Sequence, residues 1–368
     1  MCLKLLLTLK GHRGAIWSIL WGVSGNYLIS VGVDSSLVIW GPSEIFFPVN
    51  MYKKSVGEIT YFNSWAKLYQ LKMSKVLRTF RSLAKKVNSN YFSISDFLGN
   101  SYLWGIIFLK CFKICIVEIN HNLKGHSSEI KGCDFSSSEN VFSSCGRDRN
   151  IWVWKKGFEK TIECSSVLKK SDSDIKCIKW NPRYTEIASG VYGGNLILII
   201  FEKKKKKITE LNISNSVIWN IIYDKLGKNL ILGNGTGEIF FLNSIVKNTS
   251  HLDTKMSLNR KYFPVLFNLV FLSCNSIQNN SRCGRNFLFA VADSNGSINL
   301  TKNQKIIGCK KKKNQICEKK NVFFLKILSL FSNSHYGKIN TILWHPFFEN
   351  VFVSCGDDSN LSIWRIRK

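Results

Sequence analysis

Three groups of His, Ser, Asp and Trp recur along the chain at one spacing: His12, Ser30, Asp34 and Trp40; His126, Ser144, Asp148 and Trp154; His335, Ser354, Asp358 and Trp364. In each, Ser precedes Asp by four residues and Asp precedes Trp by six. A Ser, a His and an Asp are the parts of a nucleophilic hydrolase. Such an enzyme needs one set, however, and here every set ends on a Trp. A His and an Asp that enter a core must be paired to be tolerated there. These groups therefore read as hydrogen-bonded chains that tie an outer loop to inner strands, and no catalytic set stands outside them.

The other chemistry-bearing residues lead nowhere further. Cys111 and Cys115 lie four apart on an expected strand, and nothing completes the four ligands that a zinc or iron–sulfur site needs. Gly190, Gly193, Gly194 and the run 233–237 fall between strands rather than before a helix, so they are turns and not phosphate loops. The twelve cysteines are scattered and read as reduced, mostly buried strand thiols. The sequence is read as non-enzymatic, with no cofactor and no metal.

The elements that carry the three groups are short strands. Residues 27–31 and 37–40 are apolar or alternating, with Gly and Asp at the turns. In each group the His precedes an Ile by four residues, namely Ile16, Ile130 and Ile339. This pattern resembles the WD40 repeat, which folds as one four-stranded propeller blade. Weaker repeats open at residues 174–182 and 217–221, with Asn195 and Gly235 read at the place of the turn Asp. A sixth ends near residues 290–300, and residues 91–94, 102–108 and 112–117 supply a second blade. The expected fold is all-β: one seven-bladed WD40 β-propeller over residues 1–368. Residues 2–9 have no blade of their own and are read as the outer strand that closes the last one. Residues 41–86 read as an insertion or degenerate start of blade 2, and 248–286 and 302–334 as long loop insertions.

Lys plus Arg number 52 against 24 Asp plus Glu, for a net charge of +28. Hydrophobic residues at 45% exclude a disordered chain. Abundant Lys, Asn, Ile and Phe with little Ala are what an AT-rich coding genome imposes, so the charge reads first as solvated lysines and second as a functional basic face. The basic runs 203–207 and 310–313 lack the interleaved aromatics that base stacking needs. No apolar run reaches the length of a membrane span, and the start is too short for a secretory signal. The exposed residue that stands out is Arg147, just before Asp148. In such a blade it points onto the top face around the central channel, with Val33 and Asp357 in the corresponding places. An Arg there forks onto a carboxylate of a partner or a peptide end, or else forms a salt bridge between blades.

The block Cys145-Gly146-Arg147-Asp148-Arg149-Asn150-Ile151-Trp152-Val153-Trp154 resembles the third-blade signature of the propeller subunits of cytosolic iron–sulfur protein assembly (CIA) targeting complexes. Residues 163–168, 174–176 and Trp180-Asn181-Pro182 follow in that family's order. Ile39-Trp40-Gly41, Asn340, Trp344-His345-Pro346, Ser354-Cys355 and Asp357-Asp358 are similar to it as well. The resemblance implies a non-catalytic, monomeric scaffold within a hetero-complex. Its partners would be the other subunits of the targeting complex and client apoproteins. Arg147, with Val33 and Asp357, would lie on the partner-binding face, and no membrane would be involved. The implied location is the cytosol or also the nucleus; the AT-rich composition extends the cytosol to the cytosol-derived space of an endosymbiont remnant. The alternatives left open by the residues are an RNA-associated WD40 protein, which the charge favours, and an adaptor of a ubiquitin-ligase or chromatin complex.

Overall fold

The apolar runs fold as strands, and all 28 elements among the described residues are strands. The computed structural model describes residues 2–367 except 23, 43–61, 63–64, 73–79, 86–90, 110–113, 137–140, 157–160, 170, 203–204, 225, 244–253, 258–265, 273–287, 310–318 and 349. Seven antiparallel four-stranded sheets result. Blade 1 holds Ile16–Trp21, Leu28–Gly32, Ser36–Pro42 and Trp65–Lys72. Blade 2 holds Phe80–Lys85, Tyr91–Asp96, Asn100–Leu109 and Ile114–Lys124. Blade 3 runs from Ile130–Phe135 to Ile162–Lys169, and blade 4 from Ile175–Trp180 to Lys206–Asn212. Blade 5 runs from Ile218–Tyr223 to Thr254–Ser257, and blade 6 from Leu266–Leu272 to Lys319–Phe331. Blade 7 takes Ile339–Trp344, Val351–Gly356 and Asn360–Arg367, and its fourth strand is Cys2–Lys10 from the start of the chain.

The first strand of every blade packs beside the first strand of the next, blade 7 against blade 1 included, so the ring closes. This placement sets the composition of the strands. Second strands lie between two neighbouring blades and are buried along their whole length, as in Leu28–Gly32, Val141–Gly146 and Val351–Gly356. A strand covered on both faces reads as a continuous apolar run rather than an alternating one. Fourth strands face outward and are largely exposed, as in Trp65–Lys72 and Lys206–Asn212. They can carry lysine at little cost. The core is therefore a set of seams. At the closing seam, Val351, Val353, Leu361 and Ile363 of blade 7 pack against Ile19, Leu28 and Trp40 of blade 1.

The segments read as insertions contain strands. Trp65–Lys72 and Phe80–Lys85 lie within 41–86, and they end blade 1 and begin blade 2. Thr254–Ser257 and Leu266–Leu272 lie within 248–286. Residues 302–334 are mostly one ladder rather than a loop. Ile298–Cys309 pairs with Lys319–Phe331 from Ile298↔Phe331 to Cys309↔Lys319. The reason is the blade itself: each sheet needs four strands, and the first and fourth lack the hairpin Asp and closing Trp that mark the middle two. Phe62 packs at the closing seam. Its ring is fully buried and packs edge-on against His345 and Phe348.

Cys2–Lys10 pairs with Asn360–Arg367 from Cys2↔Arg367 to Lys10↔Asn360. Without it that edge of blade 7 is open to pairing with other chains. Deleting residues 2–10 is expected to cost at least about 3 kcal/mol, in part through loss of buried Leu9. It should also give concentration-dependent self-association. Urea unfolding and light scattering across a dilution series check both; a monomer of unchanged stability would contradict the closure role.

Candidate partner-binding face

In an antiparallel blade the second strand ends where the first begins. The hairpins between second and third strands therefore share one rim with the loops that enter the first strands. In blades 1, 3, 4, 5 and 7 a backbone bond fixes the hairpin to its entry loop. The amides of Val33, Arg147, Tyr192, Gly235 and Asp357 donate to the carbonyls of Ala15, Glu129, Asp174, Val217 and Lys338 at 2.8–2.9 Å. These five residues are structural equivalents. By the same register, Gly193 and Thr236 hold the turn-Asp places in blades 4 and 5, not Asn195 and Gly235. Asn195 begins the third strand of blade 4.

Blades 1, 3 and 7 carry the His–Ser–Asp–Trp groups. His12 Nδ1 lies 3.1 Å from Asp34 and its Nε2 2.7 Å from Ser30 Oγ, which accepts from Trp40 Nε1 at 2.8 Å. In blade 3 the distances are 2.8 Å from His126 to Asp148, 2.8 Å to Ser144, and 3.2 Å from Trp154 to Ser144. In blade 7 they are 3.0 Å from His335 to Asp358, 2.6 Å to Ser354, and 2.8 Å from Trp364 to Ser354. Each chain runs from the rim to the blade interior. Every Ser hydroxyl is engaged by an imidazole and an indole and is fully buried, so it meets no substrate. Burial pushes the Asp34 carboxyl up. Hydrogen bonds from His12 and from the amides of Arg13 and Ser36 outweigh that and hold it at about 2. The same balance lowers Asp148 and Asp358.

The residue that ends the second strand in these three blades is a glycine. A side-chain carbon on Gly32, Gly146 or Gly356 would come within 2.3–2.5 Å of a carbonyl oxygen of the entry loop. Glycine lets that loop, and its His, close onto the blade. Blades 2, 5 and 6 put a polar residue there instead. Asp96 accepts from the amides of Leu98 and Asn100, Asn234 from those of Thr236 and Glu238, and Asp293 from those of Asn295 and Ser297. The hairpin acceptor has moved two residues earlier in the chain. The repeat pattern does not reveal this, because it carries its Asp at one fixed place. The signal available was an Asp or Asn directly after an apolar run and three residues before a Gly.

Arg147 is exposed on this rim, as are Val33 and Asp357. Asp357 accepts from Asn340 Nδ2 at 2.8 Å, a contact within blade 7. The three therefore sit at equivalent places on blades 3, 1 and 7. Among the described residues Arg147 forms no ion pair, so its guanidinium faces outward. The thiols of Cys145, Cys177 and Cys355 are pushed up by burial, Cys177 to about 12, which keeps them protonated and weakly nucleophilic. Among the described residues no three His, Cys, Asp or Glu side chains are grouped to hold a metal, and no helix is long and apolar enough to cross a membrane. Cys111, Lys203, Lys204 and the run 310–313 lie outside the described residues.

The family model described as WD domain, G-beta repeat matches residues 3–41, 117–155 and 326–365. Each stretch ends one residue past Trp40, Trp154 or Trp364 and takes in one of the three hydrogen-bonded groups. The chain is thus a seven-bladed β-propeller with WD40 repeats. Among curated proteins it is similar to the "Probable cytosolic iron-sulfur protein assembly protein 1" of Botryotinia fuckeliana. Identity is 34% over 87 residues, which is 22% of this chain and 20% of that one. A Caenorhabditis elegans relative, "Probable cytosolic iron-sulfur protein assembly protein CIAO1 homolog", is 25% identical over 162 residues, 43% of this chain and 41% of its own. The "Protein transport protein sec13" of Aspergillus oryzae is 19% identical over 260 residues, 64% of this chain and 83% of its own. The likeness to the assembly proteins is partial, and spans about a fifth of the first relative's length.

Two outcomes follow from the buried chains. Trp154→Ala removes a buried indole and leaves Ser144 short of a partner, and should cost about 3–5 kcal/mol in urea unfolding. Asp34 is ionised more easily folded than at its ordinary value of 3.8, so its contribution is full above about pH 4 and fades as pH falls towards about 2. Asp148 and Asp358 act in the same sense, while burial raises Asp293 and Glu186 and makes them act oppositely. The stability gap between wild type and Asp34→Asn should therefore narrow from pH 4 to pH 2; a constant gap would contradict the assignment.

Proposed function

We propose that this chain is a non-catalytic scaffold of cytosolic iron–sulfur protein assembly. It docks the other subunits of a targeting complex and the client apoproteins that the complex serves. The observation that carries the reading is the blade 3 hairpin. It presents Arg147 outward on a rim whose neighbouring Asp148 is tied down by His126. That hairpin also lies within the sequence block that resembles the assembly family, and the curated relatives named above point the same way. The site of action is the cytosol.

The charge of Arg147 is free to meet a carboxylate, and a bidentate pair of that kind is a usual hot spot. Val33 and Asp357 flank the same face on blades 1 and 7. Tagged wild type and Arg147→Glu, captured from native extract at moderate salt, test the reading by mass spectrometry. Wild type should bring down other iron–sulfur assembly proteins, and the variant about ten-fold less of them at equal thermal stability. Recovery of ribonucleoprotein components, lost on nuclease treatment and indifferent to Arg147, would overturn the proposal in favour of an RNA-associated role.

A further inference from the structure

The rim is not uniform around the ring. The hairpin residues that follow the second strands are Val33, Phe97, Arg147 and Tyr192 in blades 1–4, then Gly235, Ser294 and Asp357 in blades 5–7. On the first four blades the large side chains stand out in solvent: Val33 is 40% exposed, Phe97 37%, its neighbour Leu98 51% and Tyr192 57%. Each is costly to leave in water. Aromatic and Arg side chains are what the centres of protein interfaces are made of.

Cations alternate with these apolar tips. Arg13 is exposed in the entry loop of blade 1, and Arg147 and Arg149 in the hairpin of blade 3, on either side of Phe97 and Leu98. The acids beneath them are already engaged. Asp34 and Asp148 are held by histidines, Glu129 by Lys131, and Asp174 by Lys176. Those two lysines also lie over the rings of Phe97 and Tyr192, at 5.9 Å and 4.8 Å. Arg13, Arg147 and Arg149 form no ion pair among the described residues.

Arg149 supplies a second, independent observation. Its φ is +64°, in the left-handed region. The same hairpin position is Ser35 and Ser359 in the two other blades with the complete His–Ser–Asp–Trp group, and Gly99, Gly194, Gly237 and Gly296 in the remaining four, all at positive φ. A long side chain is strained there and glycine is not. The left-handed turn belongs to the hairpin of every blade, and in blade 3 it carries an exposed Arg where the other two complete blades carry Ser, which places a second guanidinium beside Arg147 on the rim.

We infer that blades 1–4 of this rim form a docking surface for an extended protein segment in which apolar side chains lie between two acidic residues. The apolar residues cover Phe97 and Leu98, and the flanking carboxylates pair with Arg13 on one side and with Arg147 and Arg149 on the other. Aliphatic Val33 and Leu98 favour a protein occupant over stacked bases. The inference rests on the reading of this rim as a docking face, and not on any role in iron–sulfur assembly.

The test uses the full chain alone. Random twelve-residue peptides displayed on phage are selected against it, and enriched peptides are synthesised, labelled with fluorescein and titrated. Enriched sequences should carry acidic residues on both sides of an apolar pair. Their Kd should rise at least about ten-fold in Phe97→Ser, Arg147→Glu and Arg149→Gly. Arg149→Gly should melt no lower than wild type, so its loss of binding cannot be a loss of fold. Basic or uncharged enriched peptides, no enrichment, or an unchanged Kd in Arg149→Gly would overturn the inference. So would a labelled oligouridylate that binds this face through Arg149 but not Phe97, which would make the occupant a nucleic acid. Failure here with assembly proteins still captured in extract would leave the scaffold role standing and move its interface elsewhere.

Discussion

A ring of separate β-sheets holds together only if its last blade is joined to its first, and this fold depends on that joint. Seven four-stranded sheets packed round a ring still have one joint to make. Here it is made by Cys2–Lys10 on Asn360–Arg367, two strands from opposite ends of the chain. The pairing couples the first blade to the last, so their shared seam of Ile19, Leu28, Val351 and Ile363 is held from both sides. His345 adds a polar tie across the same seam. Its Nε2 lies 3.2 Å from the Gly25 carbonyl oxygen, while its Nδ1 accepts from the amides of Phe347 and Phe348.

Closure decides what the rim can do. The entry loops and hairpins are the parts of each blade that no neighbour covers, so their side chains are free to vary. What cannot vary is the need to satisfy the hairpin amides close to a buried core. Blades 1, 3 and 7 meet it with a His–Asp pair over a glycine, and blades 2, 5 and 6 with Asp96, Asn234 and Asp293 at the glycine's place. With the backbone fixed in either way, the adjacent residue points outward. In blades 1–3 it is Val33, Phe97 or Arg147. The face is thus a rigid frame with a variable fringe, and a rigid fringe loses little entropy when a partner binds.

The fold was legible because three blades keep the full His–Ser–Asp–Trp spacing, and because residues 2–9 had no other place to go. The middle strands of the remaining blades showed as apolar runs, since both faces of those strands are buried. Their outer and inner strands did not show. Trp65–Lys72 faces solvent and carries lysine, and Thr254–Ser257 is only four residues long, so both look like loop. Leu266–Leu272 is apolar but for Asn268 and continues an apolar run from Tyr262 that only Pro264 interrupts, so its start did not show. Arg147 was legible as a rim residue from its place beside Asp148. Its neighbours on the rim were not, because Phe97 and Tyr192 belong to blades whose hairpins lack that Asp and whose register only the sheet pairing reveals.

The central claim is that partners dock on the rim that carries Arg147 and not on the opposite one. A photo-reactive amino acid placed at position 147, and separately at Arg183 in the exposed first hairpin of blade 4 on the far rim, tests it directly. Irradiation in native extract should cross-link position 147 to iron–sulfur assembly proteins, with position 183 giving none of these adducts. Adducts formed at 183 and absent at 147 would contradict the account.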